Sequence, residues 1–255
     1  MNNKVIKKER LDVLIVERGL ADSREQARRL VMAGEVLVGG HAAPKAGHKI
    51  KSDSEIVVKT PARFVSRGGD KLQAAFDEFG FSVEGLVCLD VGSSTGGFTD
   101  CMLQHGAKHV IALDVGTNQL HWKMRQDRRV TVIEQYNARN LKVEDLPFVP
   151  QFACFDVSFI SLKLVMPPVI EALSSSAELV TLIKPQFEAG REQVERGGVV
   201  RDEAVHREVV EMIRRFGVEE QGLEWLGEAE SPVRGPAGNI EFLAHWRKRT
   251  INAER

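Results

Sequence analysis

Short apolar runs alternate with helical stretches over most of the chain beyond residue 64. Each run holds four to six residues, and the predicted strands are Val87–Val91, Val110–Val115, Val130–Glu134, Phe152–Phe155, Leu179–Ile183 and Glu241–Trp246. Continuous apolar runs of this length are typical of strands that are buried on both faces. A helix is predicted first, over Lys71–Phe79, after Gly68-Gly69. This alternation predicts an α/β fold with a doubly wound, mostly parallel sheet.

The first sixty residues carry a different pattern, in which two short helices precede short strands. Leu11, Leu14 and Ile15 recur at helical spacing and predict a helix over Arg10–Glu17. A second helix is predicted over Arg24–Ala33. Either Asp22 or Ser23 could cap this helix. Two short strands are expected after it, Glu35–Val38 and Glu55–Val58, with a loop over Pro44–Lys49 between them. This order indicates a small α+β domain.

Charge is divided unevenly between these two parts of the chain. Residues 1–63 hold 13 Lys/Arg and 8 Asp/Glu, whereas the remaining 192 residues hold 22 and 28. A basic segment on an acidic body favours a polyanion as partner, although a solvated charged surface would give the same count. We therefore predict a polyanion-binding domain over residues 1–60, a linker over 61–66 and a catalytic domain over 67–255.

Composition narrows the class of protein further. The chain has 255 residues, of which 43% are hydrophobic and 28% charged, as is typical of a soluble globular protein. Its three cysteines form no CxxC pair and match no zinc spacing, so we expect a cytoplasmic protein without a metal site. We find neither a signal peptide nor an apolar run long enough to span a bilayer, and we expect no membrane partner. The oligomeric state is left open.

A glycine-rich turn over residues 90–99 lies between the first predicted strand of the larger domain and a helix. Its glycines allow a sharp turn and a close approach of the backbone to a ligand. The order of residues is neither GxGxxG nor a phosphate loop, so the turn alone is a weak signal. Asp90 at the strand end can face the amino-acid end of S-adenosylmethionine, whereas it would repel the pyrophosphate of NAD.

Two polar residues after the following strands extend the candidate cofactor site. Asp114 ends the next predicted strand, where a carboxylate can accept both hydroxyls of a ribose. Asn137 is a candidate for the adenine edge, although asparagine is also common in ordinary turns. The predicted S-adenosylmethionine-binding residues are Asp90, Gly92, Ser93, Thr95, Gly96, Gly97, Phe98, Thr99, Asp114, Asn137 and Asp156.

Four charged residues, Lys71, Asp156, Lys184 and Glu241, lie where predicted elements begin or end. Any one of them alone is more often part of a surface ion pair. Together, beside a cofactor turn, they suit methyl transfer to a ribose hydroxyl, which needs a positioned base. Lys184 can be that base only when neutral, and otherwise it would steer the hydroxyl. Asp156 would position Lys184, while Lys71 and Glu241 would hold the hydroxyl and the charge balance.

Basic side chains around the second predicted helix could form a nucleic-acid-binding face. Arg24 and Arg28 lie one turn apart, and the arginine fork matches phosphate oxygens. The candidate RNA-binding residues are Arg10, Arg18, Ser23, Arg24, Arg28, Arg29, Lys45, His48 and Lys49.

The first domain resembles the RNA-binding module shared with small-subunit ribosomal protein S-four, which favours RNA among polyanions. The runs that carry this resemblance are Arg10-Leu11-Asp12, Ser23-Arg24, Ala27 and Gly34-Glu35-Val36-Leu37-Val38. The rest of the chain resembles the FtsJ-like ribose 2′-O-methyltransferases, whose Lys-Asp-Lys-Glu tetrad is matched in order and context. The further shared runs are Val65–Gly69, Asp90–Thr99, Asp156–Leu162, Ile183–Glu188, Gly197–Asp202 and Gly238–Leu243.

The whole chain thus resembles the TlyA family, which joins these two domains. The resemblance implies a Rossmann-like methyltransferase fold, S-adenosylmethionine as cofactor, and methylation of a cytidine ribose in ribosomal RNA or ribosomal subunits. It also implies Lys71, Asp156, Lys184 and Glu241 as the catalytic residues. Some members of the family carry the label haemolysin.

Three alternatives stay open at this point. A non-catalytic RNA-binding factor in ribosome assembly would keep the basic domain without needing the tetrad. A membrane-active haemolysin would need an amphipathic or apolar insertion segment, and the sequence shows none. An NAD-dependent oxidoreductase would bind NAD in place of S-adenosylmethionine.

Two further features are expected near the site. Residues 188–200 are rich in glycine and charge, which predicts a mobile lid over the RNA. Phe159 and Phe187 could stack a nucleobase, but we expect them to pack in the core instead.

Overall fold

The computed structural model describes residues 7–21, 23–59 and 63–249. Contacts divide the chain after Ala62 into two compact units, which we call the N-terminal unit and the C-terminal unit. The predicted cap Asp22, and residues 61 and 62 of the predicted linker, lie outside the described residues. Residues 63–66 belong to the C-terminal unit.

In its described residues, the N-terminal unit combines two helices with two small sheets. Its elements are β1 (Lys8–Arg10), α1 (Leu11–Glu17), α2 (Arg24–Met32), β2 (Val36–Val38), β3 (His41–Ala42), β4 (Lys49–Lys51) and β5 (Ile56–Val58). Strand β1 pairs with β4, and β2 pairs with β3 and β5, all antiparallel. Helix α2 begins where the hydroxyl of Ser23 accepts a hydrogen bond from the N–H of Gln26. Apolar residues from α1, α2 and the strands form the core.

The predicted helices and strands of this unit are confirmed, with ends that differ by one residue. Three strands were not predicted: β1, β3 and β4, the last of which takes one residue of the expected loop. Each has only two or three residues. Runs this short carry no alternation that distinguishes a strand from a loop.

The C-terminal unit alternates strands with helices. Its elements are α3 (Gly68–Phe79), β6 (Val87–Val91), α4 (Gly97–Gln104), β7 (His109–Leu113), α5 (Trp122–Arg125), β8 (Val130–Ile133), β9 (Phe152–Phe155), α6 (Leu162–Ala172), β10 (Glu178–Ile183), α7 (Pro185–Glu188), α8 (Glu203–Arg215), β11 (Leu223–Glu230) and β12 (Phe242–Lys248).

Among the described residues, seven strands form one sheet in the order β11-β12-β10-β9-β6-β7-β8. Neighbours from β10 to β8 pair in parallel, whereas β12 runs antiparallel to both β10 and β11. The predicted mostly parallel α/β sheet is confirmed. Strand β11 was missed because its sequence, LEWLGEAE, mixes apolar residues with three glutamates and a glycine.

Successive residues of the central strands pack into two different cores. Phe152 and Cys154 of β9 join a core with residues of α3 and α4, whereas Ala153 and Phe155 join one with residues of α6 and α8. Alternate side chains of a strand point to opposite faces, so helices cover the sheet on both sides. This burial explains why the strand sequences are continuous apolar runs.

Helix α3 begins at Gly68, three residues before the predicted start at Lys71. Glycine is a poor helix former, which is why the pair Gly68-Gly69 was placed before the helix. Close packing overrides this preference, since a Cβ atom on Gly69 would lie only 2.2 Å from Cγ of Phe64. Lys71 therefore lies within the helix, at the end of its first turn. Within the part of the chain that the structure describes, no helix combines the length and apolar character needed to cross a bilayer.

Gly217 lies in the helical turn Phe216–Glu220 that follows α8, and it tests the packing of this turn against the sheet. A Cβ atom there would lie 2.2 Å from Cζ3 of Trp246, a fully buried ring whose indole N–H donates to Thr181 at 3.0 Å. We predict that Gly217→Ala lowers the free energy of unfolding by about 1–3 kcal/mol through overpacking. Urea unfolding followed by circular dichroism measures this change.

Gly227→Ala is the matched control, because its Cβ atom would meet Phe79 at 3.4 Å, an ordinary contact. Equal unfolding free energies for the two variants would contradict the account of this packing.

Candidate active site

The candidate site lies at the edge of the sheet where the parallel strands end. Gly92, Asp156 and Lys184 directly follow β6, β9 and β10, and Glu241 directly precedes the antiparallel β12. Strand β6 has β9 on one side and β7 on the other, so the chain order reverses at this point. Open α/β sheets bind their ligands at such reversals, beyond the carboxyl ends of the strands.

Four charged side chains from separate elements meet at this edge. Nζ of Lys184 lies 2.6 Å from Oδ1 of Asp156, and Nζ of Lys71 lies 2.6 Å from Oε2 of Glu241. The two pairs are joined because Nζ of Lys71 is also 3.8 Å from Oδ2 of Asp156. The structure thus brings together all four residues that the sequence suggested, in the order Lys184, Asp156, Lys71, Glu241.

These four charges are largely withdrawn from solvent. The side chains of Lys71, Lys184 and Glu241 are at most 10% exposed, and that of Asp156 is 20% exposed. Burying ions is unfavourable even when they are paired, and an apolar cluster of equal volume is often as stable. An array of this kind at a ligand-binding edge therefore indicates a functional site more than a stabilising one.

Sequence reasoning missed two residues that bond to the array and a third that lines the cavity beside it. Nζ of Lys184 also donates to Oγ of Ser158 at 3.0 Å, and Nε2 of Gln186 donates to Oε1 of Glu241 at 3.4 Å. Asn239 is buried and bonds to both Gly198 and Val200. All three lie within the sequence runs that carry the family resemblance, each within two residues of a tetrad residue. This closeness in sequence could have identified them as candidates.

The glycine-rich turn packs directly against the edge that carries the four charges. Gly92 has a φ of +84°, and a Cβ atom there would lie 2.7 Å from the carbonyl oxygen of Asp156. A Cβ atom on Gly97 would lie 2.4 Å from Oγ of Ser66 and 2.7 Å from the backbone nitrogen of Gly69. The missing side chains therefore let the turn approach β9 on one side and the start of α3 on the other.

A cavity of about 590 Å³ opens between the turn and the charged array. The predicted residues that line it are Lys71, Gly92, Ser93, Thr95, Gly97, Phe98, Asp156, Lys184 and Glu241. The predicted cofactor residues outside its lining are Asp90, Gly96, Thr99, Asp114 and Asn137.

Asp90 lies beneath the turn and is fully buried. Its Oδ2 accepts a hydrogen bond of 2.6 Å from the hydroxyl of Thr99, and its Oδ1 lies 3.7 Å from Sγ of Cys154. Burial raises the pKa of Asp90 to about 7. In this structure its carboxyl group ties the end of β6 to α4, and this places it away from the cavity.

Asp114 and Asn137 are likewise engaged with the backbone. Oδ2 and Oδ1 of Asp114 accept hydrogen bonds from the N–H groups of Ser94 and Gly116, at 2.8 and 2.7 Å. The side-chain oxygen of Asn137 accepts from the N–H of Arg139 and caps a short helical turn. Asp114 therefore fixes the conformation of the glycine-rich turn through its bond to Ser94. Asn137 stabilises an ordinary turn, which is the alternative to adenine binding that the sequence analysis left open.

Phe159 does not pack in the core as we expected. It is 91% exposed, has a φ of +62° and lines the cavity beside Phe187, with ring centroids 5.1 Å apart. A bulky residue rarely adopts this backbone conformation, and such residues are concentrated at functional sites.

The predicted lid over residues 188–200 is attached to the body of the unit at both ends. Glu188 accepts hydrogen bonds from the hydroxyl of Ser161 and the N–H of Leu162, at 2.6 and 2.8 Å. At the other end, the N–H of Val200 donates to Asn239 at 3.0 Å. Between these ends, Gly197 and Gly198 reach the cavity.

The predicted RNA-binding residues fall into three groups in the N-terminal unit. Arg10, Arg24 and Arg28 share the carboxylate of Asp12, so the predicted common face is present. Four others are exposed, namely Arg29, Lys45, His48 and Lys49. Arg18 donates to the carbonyl oxygens of Ser52 and Ser54, a structural role that the sequence did not show. Ser23 caps α2, as the sequence suggested.

No group of three or more His, Cys, Asp or Glu side chains within residues 7–21, 23–59 and 63–249 could hold a metal ion. The free cysteines, Cys88, Cys101 and Cys154, are all buried, and burial raises the pKa of the Cys88 thiol to about 12.

Comparison with known proteins identifies relatives along nearly the whole chain. The FtsJ-like methyltransferase family model matches residues 64–248, and the S4 domain model matches residues 9–56. The candidate rRNA methyltransferase YqxC of Bacillus subtilis is 51% identical over 241 residues, which cover 94% of this chain and 85% of the relative.

Two further comparisons agree with this match. The 16S/23S rRNA (cytidine-2′-O)-methyltransferase TlyA of Mycobacterium tuberculosis is 42% identical over 247 residues, covering 96% of this chain and 91% of the relative. A solved structure of a candidate hemolysin from Streptococcus thermophilus superposes with a TM-score of 0.73 at 49% identity, covering 96% of this chain and 90% of that one.

The raised pKa of Asp90 predicts a specific dependence of stability on pH. A carboxyl group whose pKa is higher in the folded state binds its proton more tightly there, so it stabilises the fold at low pH. This contribution is lost as the pH rises from about 4, the usual carboxyl value, to about 7. We predict that wild type loses a few kcal/mol relative to Asp90→Asn across this interval, as measured by urea unfolding.

Asparagine keeps an oxygen that accepts from Thr99 but has no titrating proton, so the other groups cancel in the difference between the two proteins. Parallel stability curves from pH 4 to pH 8 would show that Asp90 does not titrate in this way.

Proposed function

Because the chain belongs to the FtsJ-like methyltransferase family and carries an N-terminal S4 domain, we propose that it methylates a ribose 2′-hydroxyl in ribosomal RNA. The proposed methyl donor is S-adenosylmethionine. The proposed target nucleoside is cytidine, which the names of the TlyA relatives specify. The observation that carries this proposal is the buried array of Lys71, Asp156, Lys184 and Glu241 beside the glycine-rich turn.

The cavity has the size and the lining that the methyl donor requires. A volume of about 590 Å³ lies within the usual range of small-molecule sites. Gly92, Ser93, Thr95 and Gly97 would hold the donor against the turn, where backbone can approach a ligand closely. When bound, S-adenosylmethionine supplies a methyl group on a sulfonium, which leaves as a neutral thioether without help from a metal.

Lys184 is placed to act on the hydroxyl that receives the methyl group. Its ammonium group has three N–H donors, of which one serves Asp156 and one serves Ser158. A third donor is left to hold the ribose oxygen in position for attack, and in this role the hydroxyl proton is released to water as the oxygen–methyl bond forms. The ion pair with Asp156 supports the charged, steering role, whereas service as a base requires that Lys184 first lose a proton.

Lys71 and Glu241 fix the geometry of this array. Lys71 contacts both Glu241 and Asp156, so it limits the movement of the carboxylate that orients Lys184. Gln186 holds the second oxygen of Glu241. The array holds two cations and two anions, so its net charge is zero. The reaction consumes the positive charge of a sulfonium and releases a proton. It would therefore take place in a site without a large net electric field.

The exposed ring of Phe159 offers a surface on which the target base could stack beside the array. An RNA ligand also fits the N-terminal unit, where the cationic residues of α2 and its neighbours cluster. Ribosomal RNA as substrate places the protein in the cytoplasm. A non-catalytic assembly factor is less well supported, because it would have no use for four buried charges at a cofactor cavity.

Methyl transfer to ribosomal RNA and isolated ribosomal subunits tests the proposal. With S-adenosylmethionine labelled on the methyl group, we expect label on wild-type substrate that is recovered as 2′-O-methylcytidine after nuclease digestion. Lys184→Met should lower the rate by about 100-fold or more, because it removes every donor and the charge. Lys108→Ala changes an exposed lysine outside the cavity and should leave the rate unchanged.

A second variant separates the two roles of Lys184. Arginine keeps the charge and the donors but stays protonated, so Lys184→Arg should retain measurable activity if the residue steers the hydroxyl. If Lys184 is the base, the arginine variant should be as inactive as the methionine variant, and the wild-type rate should rise with pH. If S-adenosylmethionine binds but no ribosomal substrate acquires label, the proposed substrate is rejected. If the protein instead binds and reduces NAD, methyl transfer is rejected as its reaction.

A further inference from the structure

A fully buried carboxylate, Asp12, holds three arginines of the N-terminal unit. Nε and Nη2 of Arg10 donate to its two oxygens, both at 2.9 Å. Nη2 of Arg24 and Nε of Arg28 donate to its Oδ2 at 3.1 and 3.2 Å. The three guanidinium groups hold the pKa of Asp12 well below its usual range. Within these four side chains, two positive charges are left uncompensated.

The cluster is held rigidly by the neighbouring loop. The N–H of Asp12 donates to the carbonyl oxygen of Ala46 at 2.9 Å, and that of Leu11 donates to His48 at 2.9 Å. The guanidinium group of Arg10 packs over Gly47, where a Cβ atom would lie 3.2 Å from Nη2. In the bonds to Asp12, Arg24 and Arg28 each use one of five N–H donors, so most of their donors are left for a ligand.

A cavity of about 460 Å³ lies beside this cluster and has two chemically different sides. Its cationic side is formed by Arg10, Arg28 and Lys45. Its apolar side is formed by Val31, Met32, Ala43, Pro44 and Ala46. Met32 is 87% exposed, so its side chain is accessible to a ligand.

These two sides match the two parts of a nucleotide. A phosphate diester binds to guanidinium donors, and the face of a base packs on apolar side chains. A base inside a continuous duplex is stacked on both faces and cannot enter such a cavity, whereas a bulged or single-stranded base can.

We propose that this cavity binds one unpaired nucleotide of the RNA, with its phosphate on the arginine cluster and its base against Met32 and Pro44. Asp12 is then a positioning residue, which fixes the three arginines in one arrangement. The inference rests on the proposed function only in taking RNA as the ligand.

Binding of two labelled RNA duplexes to the full-length protein tests the cavity. The duplexes are identical except that one carries a single-nucleotide bulge, and dissociation constants are measured by fluorescence anisotropy at several salt concentrations. Wild type should prefer the bulged duplex. Met32→Ala should weaken binding of that duplex by about fivefold and leave the paired duplex unchanged, whereas Met32→Leu should keep the preference.

Charge-matched variants test the cluster. Arg28→Gln should abolish the preference, whereas Arg29→Gln, which removes one charge outside the cavity lining, should weaken both duplexes equally. Asp12→Asn adds one net positive charge, so simple charge counting predicts tighter binding. Positioning predicts instead that the preference for the bulge is lost, and restored in Asp12→Glu if the longer carboxylate reaches the same arginines.

Equal binding of the two duplexes by wild type, or an unaltered preference in Met32→Ala, would overturn the inference. Thermal unfolding checks that each variant is folded, and if Asp12→Asn is not, the Met32 and Arg28 variants decide. The methyl-transfer assay separates the two proposals. Activity without a bulge preference rejects only the cavity, and a bulge preference without activity rejects only the proposed reaction.

Discussion

The bridge that Asp156 makes between two lysines is the interaction on which the rest of the site depends. Its carboxylate contacts both Lys184 and Lys71. Its carbonyl oxygen lies against Gly92, close enough to exclude any side chain there. Asp156 thus links the charged array to the glycine-rich turn. Its side chain contacts the two lysines of the array, and its backbone carbonyl group leaves no room for a side chain at Gly92 of the turn. A shift of β9 by a fraction of an ångström would disturb both at once.

Burial on both faces of the sheet made much of the C-terminal unit predictable. A strand such as β9 carries no polar position, because alternate residues enter different cores. Charged residues at the ends of such runs are then conspicuous, and the shared carboxyl edge of parallel strands brings them together. Glu241 precedes its strand, and it reaches the same edge only because β12 is antiparallel, a direction that the sequence did not predict. Its place in the site was expected from the family resemblance.

What the sequence did not show depends on side-chain contacts between distant segments. The start of α3 at Gly68 depends on the ring of Phe64, and propensity alone places glycines outside a helix. Asp90 was expected to face the cofactor, but the hydroxyl that it binds comes from α4, nine residues later. The pairing of Asp12 with arginines from β1 and α2 is of the same kind. Spacing placed Arg24 and Arg28 on one face but gave no sign of the carboxylate between them.

Three aspartates, two of them fully buried and one partly buried, show that the partner, more than the burial, decides what a carboxylate does. Asp90 meets a hydroxyl and a thiol, so burial raises its pKa and favours the neutral form. Asp12 is buried as fully, but three guanidinium groups keep it ionised. Asp156 lies between two lysines that are themselves paired, so its charge orients ammonium groups that still have donors to offer a substrate. The same side chain therefore stabilises a turn, organises a cationic cluster and positions the lysine that we propose acts on the hydroxyl, according to the number of cations within reach.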